Sequence, residues 1–361
     1  MTEQTNIIRW GVAGCGQIAI DKTIPGLLAA TGARLVAIAD PLVQRRELAL
    51  GLAAEAGLTD VKTYDYDVDM FADPDIDAVY IAMPTGLHAG AVIAAAGARK
   101  AILCEKPMGN SALEVRDMLR AARANGVPLM TAYMSRFSDV FQKTTELIRE
   151  GVIGKVTFVT AHFSYPCATY YPPGAAGGWR YTDPVGGGPL LDIGVYLAFG
   201  LREMLGERVA QVSPINSNTA APEGSAIADT TAAWFVTDKG TPGTFVTSFS
   251  HVGLSMNFFG TKGNIHVADL FYQRPGARLE VTGEGLDYVL DTTADATLAH
   301  FDNYRREFEH FSDALLNQTP HSPSADDVLA DALLLDTLKI NAADRGVLTV
   351  PTTDQFLQSN V

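Results

Sequence analysis

The sequence predicts an α/β chain of two domains. A doubly wound parallel sheet comes first, and an α+β domain with a large, mainly antiparallel open sheet follows. Three observations carry this. Apolar, strand-like runs alternate with helical stretches through the first 135 residues, as in a parallel sheet covered on both faces. A glycine-rich turn, Gly14-x-Gly16-x-x-Ala19, follows the first of those runs. After about Gly151 the rhythm changes to short alternating segments joined by turn residues, the pattern of antiparallel pairing.

The elements follow in order. Strands are predicted at Ile7 to Ala13, Arg34 to Ala39, Ile76 to Ala82, Ala101 to Cys104 and Pro128 to Tyr133. Helices are predicted at Val43 to Ala56, Ala89 to Ala98 and Ser111 to Ala124, the last opened by a Ser111-x-x-Glu114 capping box. Pro25 interrupts the first expected helix, which should kink or restart there. Beyond residue 135 the reading gives a strand at Val156 to Phe163 and a Gly/Pro-dense stretch from Pro166 to Pro189. A helix at Leu190 to Leu205 and strands at Thr230 to Val236, Thr244 to Phe249, Met256 to Phe259 and Ile265 to Val267 come next. Helices at about His300 to Leu316 and Ala325 to Ala343 close the chain. The domains are therefore 1–135 for a dinucleotide and 136–361 for substrate and oligomerisation, with the C-terminal helices able to pack back on the first. A broad sheet with helices on one side must cover its other face, and a homodimer or homotetramer is the expected cover.

Composition narrows the function. The 361 residues are too many for one ordinary core. An apolar content of 47% and a charged content of 19% fit a globular enzyme. A formal charge of −14 without a Lys/Arg stripe argues against nucleic acid. No apolar run is long enough to span a bilayer, and the start of the chain lacks a signal-peptide core, so a cytoplasmic protein is expected. Three cysteines without paired spacing point to a reducing compartment, and seven histidines without HxxxH or HExxH spacing argue against a metal.

The chemistry-bearing residues lie at predicted strand ends. In the glycine turn, Gly14 permits the sharp bend and Gly16 lets a pyrophosphate approach the backbone, while Gln17 and Ile18 lead into the helix. Asp40 ends the next strand, placed to take both ribose hydroxyls and to repel a 2′-phosphate. NAD is therefore favoured, with NADP possible because Arg45 and Arg46 follow one turn on. Pro84, Thr85 and His88 follow the strand Ile76 to Ala82 at a place for cofactor contacts, with packing or capping as the other reading of His88. Glu105-Lys106-Pro107 follows the strand Ala101 to Cys104, where doubly wound folds place their chemistry, and Lys106 there can touch both a nicotinamide and a substrate hydroxyl.

The glycine turn, Pro84-Thr85…His88, Glu105-Lys106-Pro107, Gly186-Gly187-Gly188-Pro189-Leu190-Leu191-Asp192-Ile193-Gly194-Val195-Tyr196 and Phe259-Gly260-Thr261-Lys262-Gly263 together resemble the Gfo/Idh/MocA oxidoreductase family. The resemblance covers nearly the whole chain. It implies a Rossmann domain, a second domain with a large open sheet, and hydride transfer between a nicotinamide and a sugar-like alcohol. Many members carry Asp-x-Gly-x-His, with the histidine as acid/base; here Tyr196 stands in the last place. A tyrosine there is similar to glucose–fructose oxidoreductase, D-xylose dehydrogenase, dihydrodiol dehydrogenase and some sugar 3-ketoreductases, and the Trp179-Arg180 pair resembles the first of these.

The proton chemistry is readable from the residues. Oxidising an alcohol removes its hydroxyl proton as hydride leaves carbon. A free tyrosine, with a pKa near ~10, is a poor base at neutral pH, and a neighbouring ammonium corrects this by stabilising the phenolate. Lys106 and Tyr196 are thus the expected acid–base pair. Asp192, four residues before Tyr196, shares its face on a regular helix and would hold a sugar hydroxyl or orient Lys106. Arg136 and Arg180 are candidates for the carboxamide, the substrate or an interdomain ion pair. His162 and the loop tyrosines Tyr165, Tyr170 and Tyr171 are weaker candidates, and Cys104 reads as core packing. The competing reading is a regulator that binds cofactor without turnover, or a dihydrodiol dehydrogenase.

Overall fold

The structure is a computed structural model that describes residues 7–171, 178–218, 220–271, 276–291, 301–340 and 346–359. The chain divides into two compact units. The first comprises the chain to Gly109, Leu113–Phe137 and the stretch up to Val328; the second comprises Asn110–Ala112, the chain from Ser138, and the chain from Leu329.

In the first unit six strands form one parallel sheet: β1 Ile8–Ala13, β2 Ala33–Ala39, β3 Lys62–Tyr64, β4 Ala78–Ile81, β5 Ala101–Glu105 and β6 Leu129–Ala132. Their order is β3-β2-β1-β4-β5-β6. The order reverses between β1 and β4, and ligands of such sheets bind at the strand ends beside that reversal. The helix after β1 runs through a π turn, Ala19–Thr23, and restarts as Ile24–Ala29 with Pro25 in its first turn, where a missing N–H costs least. Trp10, Tyr80, Leu35 and Leu103 pack with Phe308 and Phe311 of the helix Asp302–Asn317. Trp10 meets Phe308 edge-on at 5.0 Å between centroids, and its indole N–H donates to Ser312 Oγ at 3.1 Å.

The second unit holds a nine-stranded sheet. Its strands are β7 Val156–Ser164, β8 Val209–Ser217, β9 Thr230–Thr237, β10 Pro242–Ser248, β11 Gly253–Gly260, β12 Gly263–Ala268, β13 Arg278–Gly283, β14 Leu286–Asp291 and β15 Leu348–Thr349. The order is β14-β13-β12-β11-β7-β10-β9-β8-β15. Neighbours are antiparallel except β7 and β10, which run parallel at the centre. Under one face lie the helices Asp139–Arg149 and Val195–Leu205, whose Phe141 and Phe199 stack at 5.3 Å. On the sheet, Phe158 lies 6.0 Å from Trp234 and 6.1 Å from Phe259, and Trp234 is 61% exposed.

An α/β Rossmann unit followed by an α+β unit with a large, mainly antiparallel sheet is thus the fold. Strands β3, β8, β13, β14 and β15 and the helix Asp139–Arg149 were not anticipated. The two helices expected to close the chain run Asp302–Asn317 and Ala325–Leu338, and a further short helix, Thr353–Gln358, follows them; the expected start at His300 and the expected residues 341–343 lie outside the described residues, as do residues 172–177 of the Gly/Pro-dense stretch. Among the described residues no helix is long and apolar enough to cross a membrane, and no group of three or more His, Cys, Asp or Glu could hold a metal.

Candidate active site

The glycine turn shows what each residue is for. Gly14 has φ +94°, and a Cβ there would stand 2.7 Å from the Ala82 carbonyl oxygen. Only glycine fits both the angle and the approach. At Gly16 a Cβ would meet nothing within 4 Å, so the space over its backbone is open to a ligand. Helical structure begins at Gln17, and Gln17 and Ile18 are both exposed. Gln17 Nε2 donates to Asp21 Oδ2 at 2.6 Å. Asp40 is tied in: Oδ2 accepts the Cys15 N–H at 2.8 Å and Oδ1 accepts the Leu42 N–H at 2.9 Å. An open glycine turn with a fixed carboxylate beside it is a fit for a nicotinamide dinucleotide. Arg46 donates to the Asp40 carbonyl and pairs with Asp65 at 2.7 Å, so it is anchored beside the Asp40 backbone; Arg45 is half-exposed.

Thr85 begins the helix Thr85–Gly97, earlier than the sequence suggested, and Pro84 precedes it in extended conformation. His88 is buried in its first turn. Its Nε2 lies 2.7 Å from the Met83 carbonyl, and its Nδ1 lies 3.1 and 3.2 Å from those of Pro107 and Met108. Burial lowers its pKa against hydrogen bonds that raise it; the ring is wedged between the carbonyls of the turn after β4 and those of the turn after β5, and when neutral it donates to one of these turns. These contacts give His88 a structural task at the strand ends.

Glu105 ends β5 and Lys106 follows it. The Tyr80 hydroxyl donates to Glu105 Oε1 at 2.5 Å, and Glu105 Oε2 accepts the Lys106 N–H at 3.0 Å. Burial, then the Glu105 charge, raises the Tyr80 pKa far above its usual value, so Tyr80 stays a donor. The Lys106 backbone is thereby held by a carboxylate that is itself held. Cys104 is buried, and desolvation keeps it a thiol. Arg136 lies in the short 3₁₀ turn Met134–Phe137 after β6, in the same unit.

The second unit gathers another set. Asp192 Oδ2 accepts from the Tyr165 hydroxyl at 2.6 Å and from Arg180 Nε at 2.9 Å. Arg180 also lies 4.2 Å over the Tyr171 ring and 4.6 Å from the Trp179 ring. Burial works against its charge, but Asp192 more than restores it. This ion pair of Arg180 with Asp192 lies within the second unit. Burial and Asp192 raise the Tyr165 pKa, so its hydroxyl donates. Tyr196 is 4% exposed, its ring centroid 5.8 Å from that of Phe163 and 5.4 Å from that of Phe271. Residues Leu190–Gly194 form a π turn before the helix Val195–Leu205, so the regular i, i+4 relation of Asp192 to Tyr196 does not hold as expected. Trp179 is partly exposed, and Tyr170 is exposed. His162 lies on β7 with its Nε2 2.8 Å from Ser164 Oγ and 3.0 Å from His251 Nε2, and burial lowers its pKa.

Sequence reasoning missed Tyr80, which secures Glu105. An apolar strand gives no hint that one of its aromatics donates to a residue 25 positions on. The link of Tyr165 to Asp192 was missed for a similar reason.

The glycine cradle, the fixed acidic residue and the lysine at the sheet edge define a nicotinamide-dependent oxidoreductase. Family models agree: the NAD-binding Rossmann fold of the GFO/IDH/MocA oxidoreductase family matches residues 8–133, and the C-terminal domain of that family matches residues 141–266. The chain belongs to this family. It is 31% identical to 1,5-anhydro-D-fructose reductase from Ensifer adhaerens, over 74% of this chain and 78% of that protein. It is 30% identical to trans-1,2-dihydrobenzene-1,2-diol dehydrogenase from Mus musculus, over 78% of this chain and 80% of that one. A solved tyrosine-to-phenylalanine variant of a 3-ketoreductase from Actinomadura kijaniata, in complex with TDP-benzene and NADP, superposes with a TM-score of 0.77 at 25% identity, covering 92% of this chain and 97% of that one.

Proposed function

We propose that the protein moves a hydride between NAD(H) and a CH–OH group of a sugar or polyol, with Lys106 and Tyr196 handling the hydroxyl proton. In the oxidising direction the C–H electron pair leaves with the hydride and the O–H proton leaves separately. The bound nicotinamide supplies the hydride acceptor, or the donor in reverse. Lys106 Nζ bonds the reacting oxygen and stabilises negative charge on it. The Tyr196 phenolate, stabilised by the Lys106 ammonium, takes the proton, and the phenol so formed gives it back when a ketone is reduced. Asp192, with Arg180 and Tyr165 attached, orients a neighbouring hydroxyl of the substrate. Asp40 favours NAD over NADP by receiving ribose hydroxyls. Gly14, Gly16, Gln17, Ile18, Pro84 and Thr85 line the dinucleotide, with Glu105 and His88 bracing the edge it meets. Arg45, Arg136 and Trp179 remain cofactor contacts in this reading.

The observation that carries it is the bracing of Lys106: a lysine at a sheet edge, its backbone N–H held by a buried carboxylate and the next turn held by a buried histidine. A surface charge needs no such support. The solved 3-ketoreductase variant, altered at a tyrosine, supports attention to Tyr196. The exposed aromatics Trp234 and Phe259 support self-association through the sheet, which light scattering would check. Three free, buried cysteines suit a reducing cytoplasm.

The test is turnover of NAD or NADP with a panel of aldoses, polyols and keto-sugars. Lys106→Ala and Tyr196→Phe should each lower kcat by roughly 10² to 10⁴ with cofactor affinity kept. Cofactor binding without turnover on any panel member would indicate a regulator. Near-normal rates in Tyr196→Phe would remove the tyrosine from the reaction.

A further inference from the structure

Glu307 is fully buried on the helix Asp302–Asn317, and neither of its carboxyl oxygens has a protein hydrogen-bond partner among the described residues. One turn earlier, both amide atoms of Asn303 are buried in the same condition. A buried polar group left so costs about 1–3 kcal/mol, so four of them on one stripe of one helix demand an account.

Their surroundings supply it. Phe308, the next residue, packs its ring 5.4 Å from that of Tyr80. Tyr80 donates to Glu105, and Glu105 holds the Lys106 N–H. Leu103, two residues before Glu105 and so on the same face of β5, shares an apolar cluster with Tyr80 and Phe308. Glu307 and Glu105 are near enough for the charge of one to act on the other.

Glu105 accepts two hydrogen bonds, whereas neither carboxyl oxygen of Glu307 has a protein partner among the described residues; burial and then the charge of Glu105 push the pKa of Glu307 well up. Tyr80 from β4 and Tyr304 from the helix itself are the other titratable groups here, and Tyr80 is held protonated. Arg136, on the turn after β6, acts on His310 further along the helix. Asp302, Arg305, Arg306 and Glu309 pair among themselves.

We propose that Glu307 is a positioning residue for the reaction at Lys106: a neutral carboxylic acid that, with Asn303 and ordered water, donates toward Glu105 and fixes the carboxylate holding the Lys106 backbone. Water suits the place because a buried water takes two to four polar partners, and the carboxyl and amide provide them. This inference rests on the role given to Lys106 above.

Glu307→Gln and Glu307→Met separate the possibilities. The glutamine keeps a neutral donor and acceptor, and should leave kcat within about threefold of native. The methionine keeps bulk without polarity, and should lower kcat roughly twentyfold with cofactor Kd unchanged and Tm within a few degrees. The infrared difference spectrum of native minus Glu307→Gln at neutral pH should show the carbonyl stretch of a protonated carboxylic acid. Native kcat in Glu307→Met would reduce Glu307 to core filling. A missing carbonyl stretch, or a large loss in Glu307→Gln, would overturn the neutral acid. Should the methionine variant not fold, Tyr80→Phe removes one donor to Glu105 and should cost kcat about fivefold at constant cofactor Kd, native turnover again counting against the proposal. If Lys106→Ala keeps full activity the reading of the lysine fails instead, and the infrared result still judges Glu307.

Discussion

Two glycine-rich turns among the described residues use glycine for opposite ends. In the turn Gly14-Cys15-Gly16 the first glycine is forced by the backbone, while the second faces open space. In the run Gly186-Gly187-Gly188 the space is taken by the chain itself: a Cβ at Gly187 would lie 2.5 Å from the Asp183 carbonyl oxygen and 2.8 Å from that of Arg180. The Gly187 N–H bonds the Asp183 carbonyl at 3.0 Å, and the Gly188 N–H bonds the Arg180 carbonyl at 2.8 Å. So the second turn is a clasp that delivers Arg180 to Asp192, and the first is a cradle. Similar composition is no guide to which of the two a glycine run will be.

Substitutions sharpen that contrast. Gly187→Ala should do the most damage, because two carbonyl oxygens cannot retreat as a flexible side chain would. The expected loss is ~2 kcal/mol or more, read as a lower Tm together with lost turnover. An unchanged Tm would dissolve the distinction drawn here. Gly16→Ala should leave Tm in place and weaken cofactor binding roughly tenfold, since the added methyl occupies ligand space rather than protein space. Stability falling along with affinity would make that turn a clasp as well.

Asp40→Ala probes the wall of the cradle. NAD affinity should fall about tenfold and the preference for NAD over NADP should narrow, with Kd for each cofactor as the measure. A ratio that does not move would take the ribose away from Asp40.

The smallest effect concerns pH. Burial, then Asp40, pushes the Cys15 thiol up from 9.0 to about 12. A raised folded-state pKa stabilises the fold fully below the unfolded value and loses that contribution as pH climbs toward the folded one. Stability should therefore decline between pH 9.0 and about 12, with a shallower slope in Cys15→Ala. Equal slopes in denaturant titrations of the two proteins would count against it.

What the sequence made legible follows burial. Strands β1, β2, β4, β5 and β6 are apolar runs inside a doubly covered sheet, and periodicity finds such runs. Strand β3, Lys62–Tyr64, is short, exposed and at the edge, and gives no signal. Strand β8 carries Pro214 and few buried positions, which reads as loop. The site divides similarly. The motif residues Gly14, Asp40 and Lys106 were visible because short local patterns at strand ends mark them. The partners Tyr80 for Glu105, and Tyr165 and Arg180 for Asp192, come from distant segments, and one sequence holds no record of such meetings. The π turn at Leu190–Gly194 also shifts a side chain that regular helical spacing would misplace.

The helix Asp302–Asn317 supplies Phe308 and Phe311 to the core around Trp10, though about 300 residues separate them in the chain. A nascent chain on the ribosome therefore has all six strands of the parallel sheet long before it has the wedge that fills their underside. Until that late segment emerges, the indole of Trp10 lacks its edge-on partner and stays a surface for chaperones. Cutting the gene after residue 135 should for the same reason yield an aggregating fragment rather than a portable nucleotide-binding module.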